Sequence, residues 1–258
     1  MIRRVNIHAG HTSSKGKSQG AVGFLNESDE ARRIVKQVIA LLKKDGCTVY
    51  DCTAEGQDED DNLRRIVKKC NAHKVDLDVS IHFNSFKPDI KGDGNNKGVE
   101  VFTKYLRDER GDIAKDICKR VAKLGFTNRG VKISNGLYVL NHTYAPAILV
   151  ECCFVDDKDD FKLYNAKEMA KRIAWGIVGH VIYTKPVAAV TAKSATNKIK
   201  WVQQHLASCG VKCPVTGIWD AGTVEAVKKY RKQLGWKPGA GKKATVKMIG
   251  ALYRYKRE

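Results

Sequence analysis

The sequence predicts an α/β protein, a mostly parallel sheet with helices on both faces, followed by a small all-α domain of three helices. Three observations carry this. Short apolar strands alternate with amphipathic helices through the first two thirds of the chain, the pattern of a parallel sheet covered by crossover helices. Two of those strands are clear in the pattern: Val75 to His82 alternates as Val-x-Leu-x-Val-x-Ile, and Pro146 to Val155 is apolar along most of its length. Third, the charge changes character. Residues 190–258 hold 15 Lys+Arg against 3 Asp+Glu, a balance of +12 within an overall +19, which leaves +7 for all that precedes. A chain of 258 residues suits one large domain or two unequal ones.

The elements follow in order. Val5-Asn6-Ile7 is an opening strand, and the polar stretch His8 to Gly23 a loop. Ala31, Ile34, Val35, Val38, Ile39 and Leu42 recur with helical spacing, and Gly46 ends that helix. Thr48-Val49-Tyr50 reads as a strand, Leu63, Ile66, Val67 and Cys70 as a second helix, and Val75 to His82 as a third strand. Gly98 to Thr103 is a fourth strand, and Ile113, Ile117, Val121 and Leu124 mark a third helix. Leu137 to Leu140 and Pro146 to Val155 read as two more strands, and Met169, Ile173, Ile177 and Val181 as a last helix. The small residues and Pro186 of 185–197 read as a linker, dividing a larger domain (1–184) from a tail (198–258). In the tail, helices are marked by Ile199, Val202 and Leu206, by Val224, Val227 and Tyr230, and by Val246, Ile249 and Leu252.

Several classes are excluded at this stage. The longest apolar runs, such as Ala145 to Val150, fall far short of the ~20 residues a membrane span needs. The N-terminus shows no apolar segment of signal-peptide length, so the expectation is synthesis in the cytoplasm without membrane insertion. The basic tail points to a polyanionic partner: nucleic acid, an anionic membrane surface or an anionic wall polymer. The eight cysteines lack metal-type spacing and read as reduced, buried thiols, with a Cys209–Cys213 disulfide only outside the cell. Gly10 to Ser18 imitates a phosphate-binding loop, but five residues separate its glycines where four are required.

The chemistry lies in scattered residues. His11 follows the first strand, Glu27 opens the first helix, His82 ends the third strand and Glu151 ends the last. In a parallel sheet these positions converge at the carboxyl rim. Two imidazoles and a carboxylate are a three-ligand set for catalytic Zn²⁺, and a second carboxylate beside it can act as general base. Each residue also has a structural reading, as a hydrogen-bonding histidine or a helix-start acid. Glu151 is harder to explain that way, because a carboxylate after five apolar residues is costly unless paired or beside a metal.

The segments Ile7-His8-Ala9-Gly10-His11, Gly23-Phe24-Leu25-Asn26-Glu27, Asp76 to Ser85 and Pro146 to Val155, with Arg65 and Asn71, resemble the zinc-dependent N-acetylmuramoyl-L-alanine amidases of the amidase_3 family over roughly residues 1–183. The resemblance implies His11, Glu27 and His82 as zinc ligands and Glu151 as the catalytic carboxylate. The reaction implied is hydrolysis of the amide between N-acetylmuramic acid and L-alanine in peptidoglycan. It departs from the family at His8, where Asp is common, which makes His8 a rival ligand; His142 is a candidate for touching substrate. The tail, with Ile199 to Leu206, Pro214 to Trp219, Thr223 to Val227 and Tyr230, resembles a three-helix peptidoglycan-binding module, with Thr216 and Asp220 off its usual pattern.

These readings imply a wall-lytic enzyme with bacterial peptidoglycan as partner, anionic wall polymers as a further one, and no nucleic acid. The absent leader favours a phage endolysin released to the wall by a holin. The rivals are a host amidase freed by mother-cell lysis, a zinc peptidase cutting within the stem peptide, and a non-enzymatic wall-binding protein.

Overall fold

A computed structural model describes residues 2–13 and 18–255. The chain divides into two compact units, Met1–Lys43 with Thr48–His180, and Lys44–Cys47 with Val181–Glu258. The larger holds β1 (Arg4–Ala9), α1 (Glu27–Asp45), β2 (Thr48–Asp51), α2 (Glu59–Asn71), β3 (Leu77–Asn84), β4 (Val99–Thr103), α3 (Glu109–Ala122), β5 (Asn128–Ile133), α4 (Tyr138–His142), β6 (Ala147–Phe154), α5 (Lys158–Leu163) and α6 (Ala166–Val178). The phosphate-loop imitation at 10–18 falls partly on 14–17, outside the described residues.

Six strands form one sheet in the order β2-β1-β3-β6-β4-β5. β1, β2, β3 and β6 run parallel, β4 is antiparallel to β6, and β5 is parallel to β4. The carboxyl ends of β1, β3 and β6 therefore share a rim with the beginnings of β4 and β5. Alternate residues such as Leu77, Val79 and Ile81, and on the other face Asp78 and Ser80, are all buried, as a doubly covered sheet requires. α2 and α4 cover one face through Ile66, Val67, Cys70, Val139 and Leu140, packed on Ala147 and Leu149. α3 packs on α6, where Gly176 lets the helices close: a Cβ there would lie 2.4 Å from Ile117 Cγ1.

Local chemistry explains the helix limits. α1 starts with Glu27, Asp29 and Glu30 at its positive end, and Gly46 follows at φ +96°. Asp58, Asp108 and Asn165 cap α2, α3 and α6 by accepting backbone N–H groups.

Besides α5, which was not expected, two features of this unit differ from the sequence reading. Leu137 to Leu140, expected as a strand, lies at and within the short helix α4, because four apolar residues carry no period long enough to tell helix from strand. β5 was not expected at all. It is an edge strand, mostly half-exposed, with charges and Gly130 where an apolar alternation would otherwise mark it.

The smaller unit contains β7 (Val190–Thr191), α7 (Thr196–Ser208), α8 (Ala221–Gln233), β8 (Lys243–Ala244) and α9 (Val246–Tyr255). Its three helices enclose Ile199, Trp201, Leu206, Val227, Tyr230, Ile249 and Leu252. Within 185–197, read as linker, Val190 and Thr191 pair with Ala244 and Lys243, and Val190 is fully buried, since a lone β-branched residue found a partner strand. Gln203 ties down the turn before α8: its Nε2 donates to Thr216 Oγ1, Ile218 O and Thr223 Oγ1 at 3.1, 2.8 and 2.9 Å, and its Oε1 accepts the Gly217 N–H at 2.8 Å. Among the described residues no helix is long and apolar enough to cross a membrane. Cys213 is a free thiol, so the Cys209–Cys213 cross-link is not made.

Candidate metal centre

The site forms where β1, β3 and β6 end. His11 follows β1 with left-handed backbone (φ +61°), a conformation that a residue with a side chain keeps only when its surroundings hold it. Arg32 of α1 does so, donating from Nη2 to His11 O at 3.1 Å and from Nη1 to Thr12 O at 3.3 Å. Glu27 is the first residue of α1. His82 lies near the end of β3 and is the register partner of Glu151 on β6.

Glu27 joins the two histidines. Its Oε1 lies 3.0 Å from His82 Nδ1 and 3.2 Å from His11 Nε2, and accepts the Phe83 N–H at 3.1 Å; its Oε2 accepts the Ala21 N–H at 2.8 Å. The imidazoles meet edge to face, 5.0 Å between centroids. Glycines make room for them. A Cβ on Gly10 would stand 2.0 Å from His82 Cε1, and one on Gly20 would stand 2.5 Å from Glu27 Oε2 in a backbone that is already left-handed.

Burial opposes ionisation of Glu27, but hydrogen bonds and charge from His11 and His82 outweigh it and hold the carboxyl well below its usual range. At His11 burial again pulls toward the neutral form, and Glu27 more than offsets it, so the imidazole is raised. Glu151 has no such help. Burial first, then the charges of Glu27 and Glu100, push its carboxyl well above the ordinary value. Its Oε2 is shielded from solvent and has no hydrogen-bond partner among the described residues. Glu151 lines a cleft of about 310 Å³ together with His8, His11, His82, Asn62 and Tyr138.

The structure brings His11, Glu27 and His82 together, with one ligand atom from each within 4.8 Å of the others, and sets Glu151 in the same cleft. His8 also lines the cleft, but its Nδ1 faces Ser80 Oγ at 3.5 Å and Ala9 O at 3.4 Å, and it is outside that group of three. Burial, reinforced by His82, lowers the His8 pKa to about 3, so it is neutral. His142 is not brought to the site: it is exposed, stacks on Tyr138 and bonds Tyr138 O at 2.8 Å. Arg65 pairs with Asp61 on the outside of α2, and Asn71 fastens the loop after α4 through His142 O and Tyr144 N.

Sequence reasoning missed Glu100 of β4, which opposes Glu151 across the antiparallel pair. It is buried, and Asn84 Nδ2 (2.8 Å), Arg129 Nε (2.6 Å) and Lys132 Nζ hold its carboxylate. Burial would raise it, but the two cations outweigh that and lower it. Its signal was present: a carboxylate between Val99 and Val101 carries the same cost that singled out Glu151.

The donor set suits a zinc ion. Ligands about 2.0–2.1 Å from zinc in a tetrahedron stand roughly 3.3 Å apart, close to the 3.0 and 3.2 Å separations around Glu27 Oε1. A dication there would also relieve the orphaned Glu151 carboxyl of the charge beside it.

Comparison with known proteins agrees with this fold. The family described as Amidase_3, N-acetylmuramoyl-L-alanine amidase, matches residues 5–183. The chain is similar to an uncharacterized protein of Clostridium perfringens, 32% identical over 166 residues, 64% of this chain and 47% of that protein. It is also similar to the endolysin of Bacillus phage SPP1, 31% identical over 181 residues, 68% of this chain and 64% of that one. The chain spans about half the length of its Clostridium perfringens relatives. Among solved structures, the catalytic domain of the CD27L endolysin targeting Clostridia Difficile is similar at TM-score 0.62 and 25% identity, over 70% of this chain and 99% of that one. The catalytic domain of CwlV, an N-acetylmuramoyl-L-alanine amidase from Bacillus (Paenibacillus) polymyxa, is similar at TM-score 0.55 and 26% identity, over 69% and 97%. The chain belongs to the Amidase_3 family of N-acetylmuramoyl-L-alanine amidases.

Proposed function

We propose that the protein is a zinc-dependent amidase that hydrolyses the amide between the lactyl group of N-acetylmuramic acid and the first L-alanine of the peptidoglycan stem peptide. The observation that carries this reading is the Glu27-centred triad, whose two histidines line one cleft with Glu151. His11 Nε2, Glu27 Oε1 and His82 Nδ1 would hold the ion. Zinc bound there supplies Lewis acidity toward the scissile carbonyl and the attacking water. Glu151 takes the proton from that water as it adds to the carbonyl carbon, and gives it to the departing L-alanine nitrogen as the C–N bond breaks. Its buried setting suits the task, because a poorly solvated carboxylate holds a proton more strongly than an exposed one.

Purified peptidoglycan digested with and without a chelator tests the reading by mass and end-group analysis. New free L-alanine amines, lost on chelation, are expected. New ends elsewhere in the stem peptide would make it a peptidase, and binding without cleavage would make it a wall-binding protein.

We place the enzyme with phage endolysins, made in the bacterial cytoplasm and reaching the wall after holin-dependent release, a reading supported by likeness to endolysins. The host-amidase alternative draws support from a 25% likeness over 186 residues to the germination-specific amidase of Bacillus subtilis. Lysis of expressing cells only when a holin is supplied would favour the first.

The basic small unit would bind the wall, including its anionic polymers. Trp201 is buried and stacked on His205, so it is closed to a ligand; Trp219 and Trp236 are only partly covered. Charge is then the main attraction. Binding of the uncleaving Glu151→Gln protein to purified walls should fall steeply between about 0.1 and 1 M salt, as the screening length shrinks from ~10 to ~3 Å. Binding that ignores salt would shift the credit to Trp219 and Trp236.

A further inference from the structure

We propose that Arg129 and Lys132, on the edge strand two strands from Glu151, form an anion-recognising wall that binds an ionised carboxylate of the peptide being cut, an inference that rests on the amidase reading above. Its basis is a row of side chains at one level of the sheet. His82, Glu151 and Glu100 are register partners on β3, β6 and β4, and directly opposed residues share a face. The edge strand β5 continues the row, with Arg129 Nε and Lys132 Nζ both on Glu100 Oε2.

One cation would neutralise Glu100. Two leave a positive charge in excess, and they leave it accessible: the Glu100 side chain is 3% exposed, those of Arg129 and Lys132 35% and 42%. A guanidinium has five N–H donors and an ammonium three. Among the described residues, the one further hydrogen bond from these donors besides those to Glu100 is a long one from Arg129 Nη1 to Lys97 O at 3.5 Å. The cations are also steadied by rings, Arg129 over Phe154 at 5.0 Å and Lys132 over Phe102 at 5.8 Å. A pair of held cations with spare donors is suited to a carboxylate, which accepts two parallel hydrogen bonds from a guanidinium.

On this proposal such a group of the substrate lies within reach of the cut. β5 lies two strands from β6, and strands are ~4.8 Å apart, so the wall stands roughly 10 Å from Glu151. An extended peptide covers that in about three residues. The lactyl carboxyl of muramic acid is consumed in the scissile amide, so an ionised carboxylate this close to the cut belongs to the peptide.

The test is kcat/KM of the zinc-loaded full chain on two soluble muramoyl peptides that differ only in a free carboxylate or its carboxamide on the third residue. The acid should be preferred roughly 10- to 100-fold, the range of a hydrogen bond to a charged group. Lys132→Gln and Arg129→Gln should each bring the ratio toward one, mainly through KM for the acid. Arg129→Lys, which keeps the charge, should restore part of it. Glu100→Gln, which frees both cations, should keep or raise it. Because losing a cation leaves a buried carboxylate less compensated, melting of each variant is recorded, and the ratio of the two substrates cancels any shared loss of folded enzyme. Equal rates for acid and amide in the wild type, or a ratio unchanged in both cation variants, would overturn the proposal. Cleavage of neither substrate by the wild type would instead overturn the amidase reading.

Discussion

Glu151→Gln should yield a folded protein that takes up zinc and binds walls but cuts them roughly 10²- to 10⁴-fold more slowly, the contribution expected of a positioned general base. Glutamine keeps the size of the side chain and its hydrogen-bonding ability while losing the capacity to take a proton. Without metal the substitution removes a carboxyl that burial and two neighbouring carboxylates disfavour, so the melting temperature of the apo form should hold or rise. Turnover on purified peptidoglycan, zinc content and thermal melting decide the matter together. Loss of zinc would make Glu151 a ligand and leave Glu27 without its assigned part. Full activity would move the base elsewhere in the cleft, which His8 and Glu59 also line.

His82→Ala is expected to be more severe, with activity below detection. The ring contributes one of three ligand atoms, its Nδ1 lying 3.0 Å from Glu27 Oε1, and two ligands rarely hold a catalytic ion. A clear readout is stabilisation by added zinc. A ligand present at 100 times its dissociation constant stabilises a fold by about 2.7 kcal/mol, so wild-type melting should rise with zinc and that of His82→Ala should not. His142→Ala, which alters an exposed ring outside the three-ligand group, is the matching control and should respond as the wild type does. A zinc-dependent rise in His82→Ala equal to the wild type's would dismiss the ligand assignment.

How much of this was legible in the sequence depended on the kind of signal. Helix α1 was plain because Ala31, Ile34, Val35, Val38 and Leu42 repeat for three turns and all are buried. β3 was plain from the alternation of Val75, Leu77, Val79 and Ile81, and β6 from its unbroken apolar start, Ala147 to Val150. The meeting of His11, Glu27 and His82 followed from parallel strands ending at one rim, which is a property of topology more than of any one motif. Strand direction was not legible. Nothing in Val99 to Thr103 states that β4 runs against β6, and that reversal is what brings Glu100 level with Glu151 and the start of β5 to the same rim. β5 itself was hidden because edge strands carry charge by need, and here the charges, Arg129 and Lys132, are part of the site's surroundings. Arg32 escaped notice for a related reason: an arginine on the polar side of a helix reads as solvated until the strained turn at His11 is seen beneath it.

The cysteines have a further use. Cys52, Cys70, Cys118, Cys152 and Cys153 in the larger unit and Cys213 in the smaller are buried free thiols. Burial pushes Cys118 up to about 12, drives Cys152 and Cys153 well above the usual thiol range, and moves Cys213 the same way. Only the thiolate reacts with alkylating reagents, so labelling of the native chain must wait for local or global opening. Each unit thus carries its own chemical clock. Pulse alkylation followed by peptide mass mapping would time the opening of the catalytic unit at Cys118 and Cys152 and that of the basic unit at Cys213, within one intact chain and without an added probe.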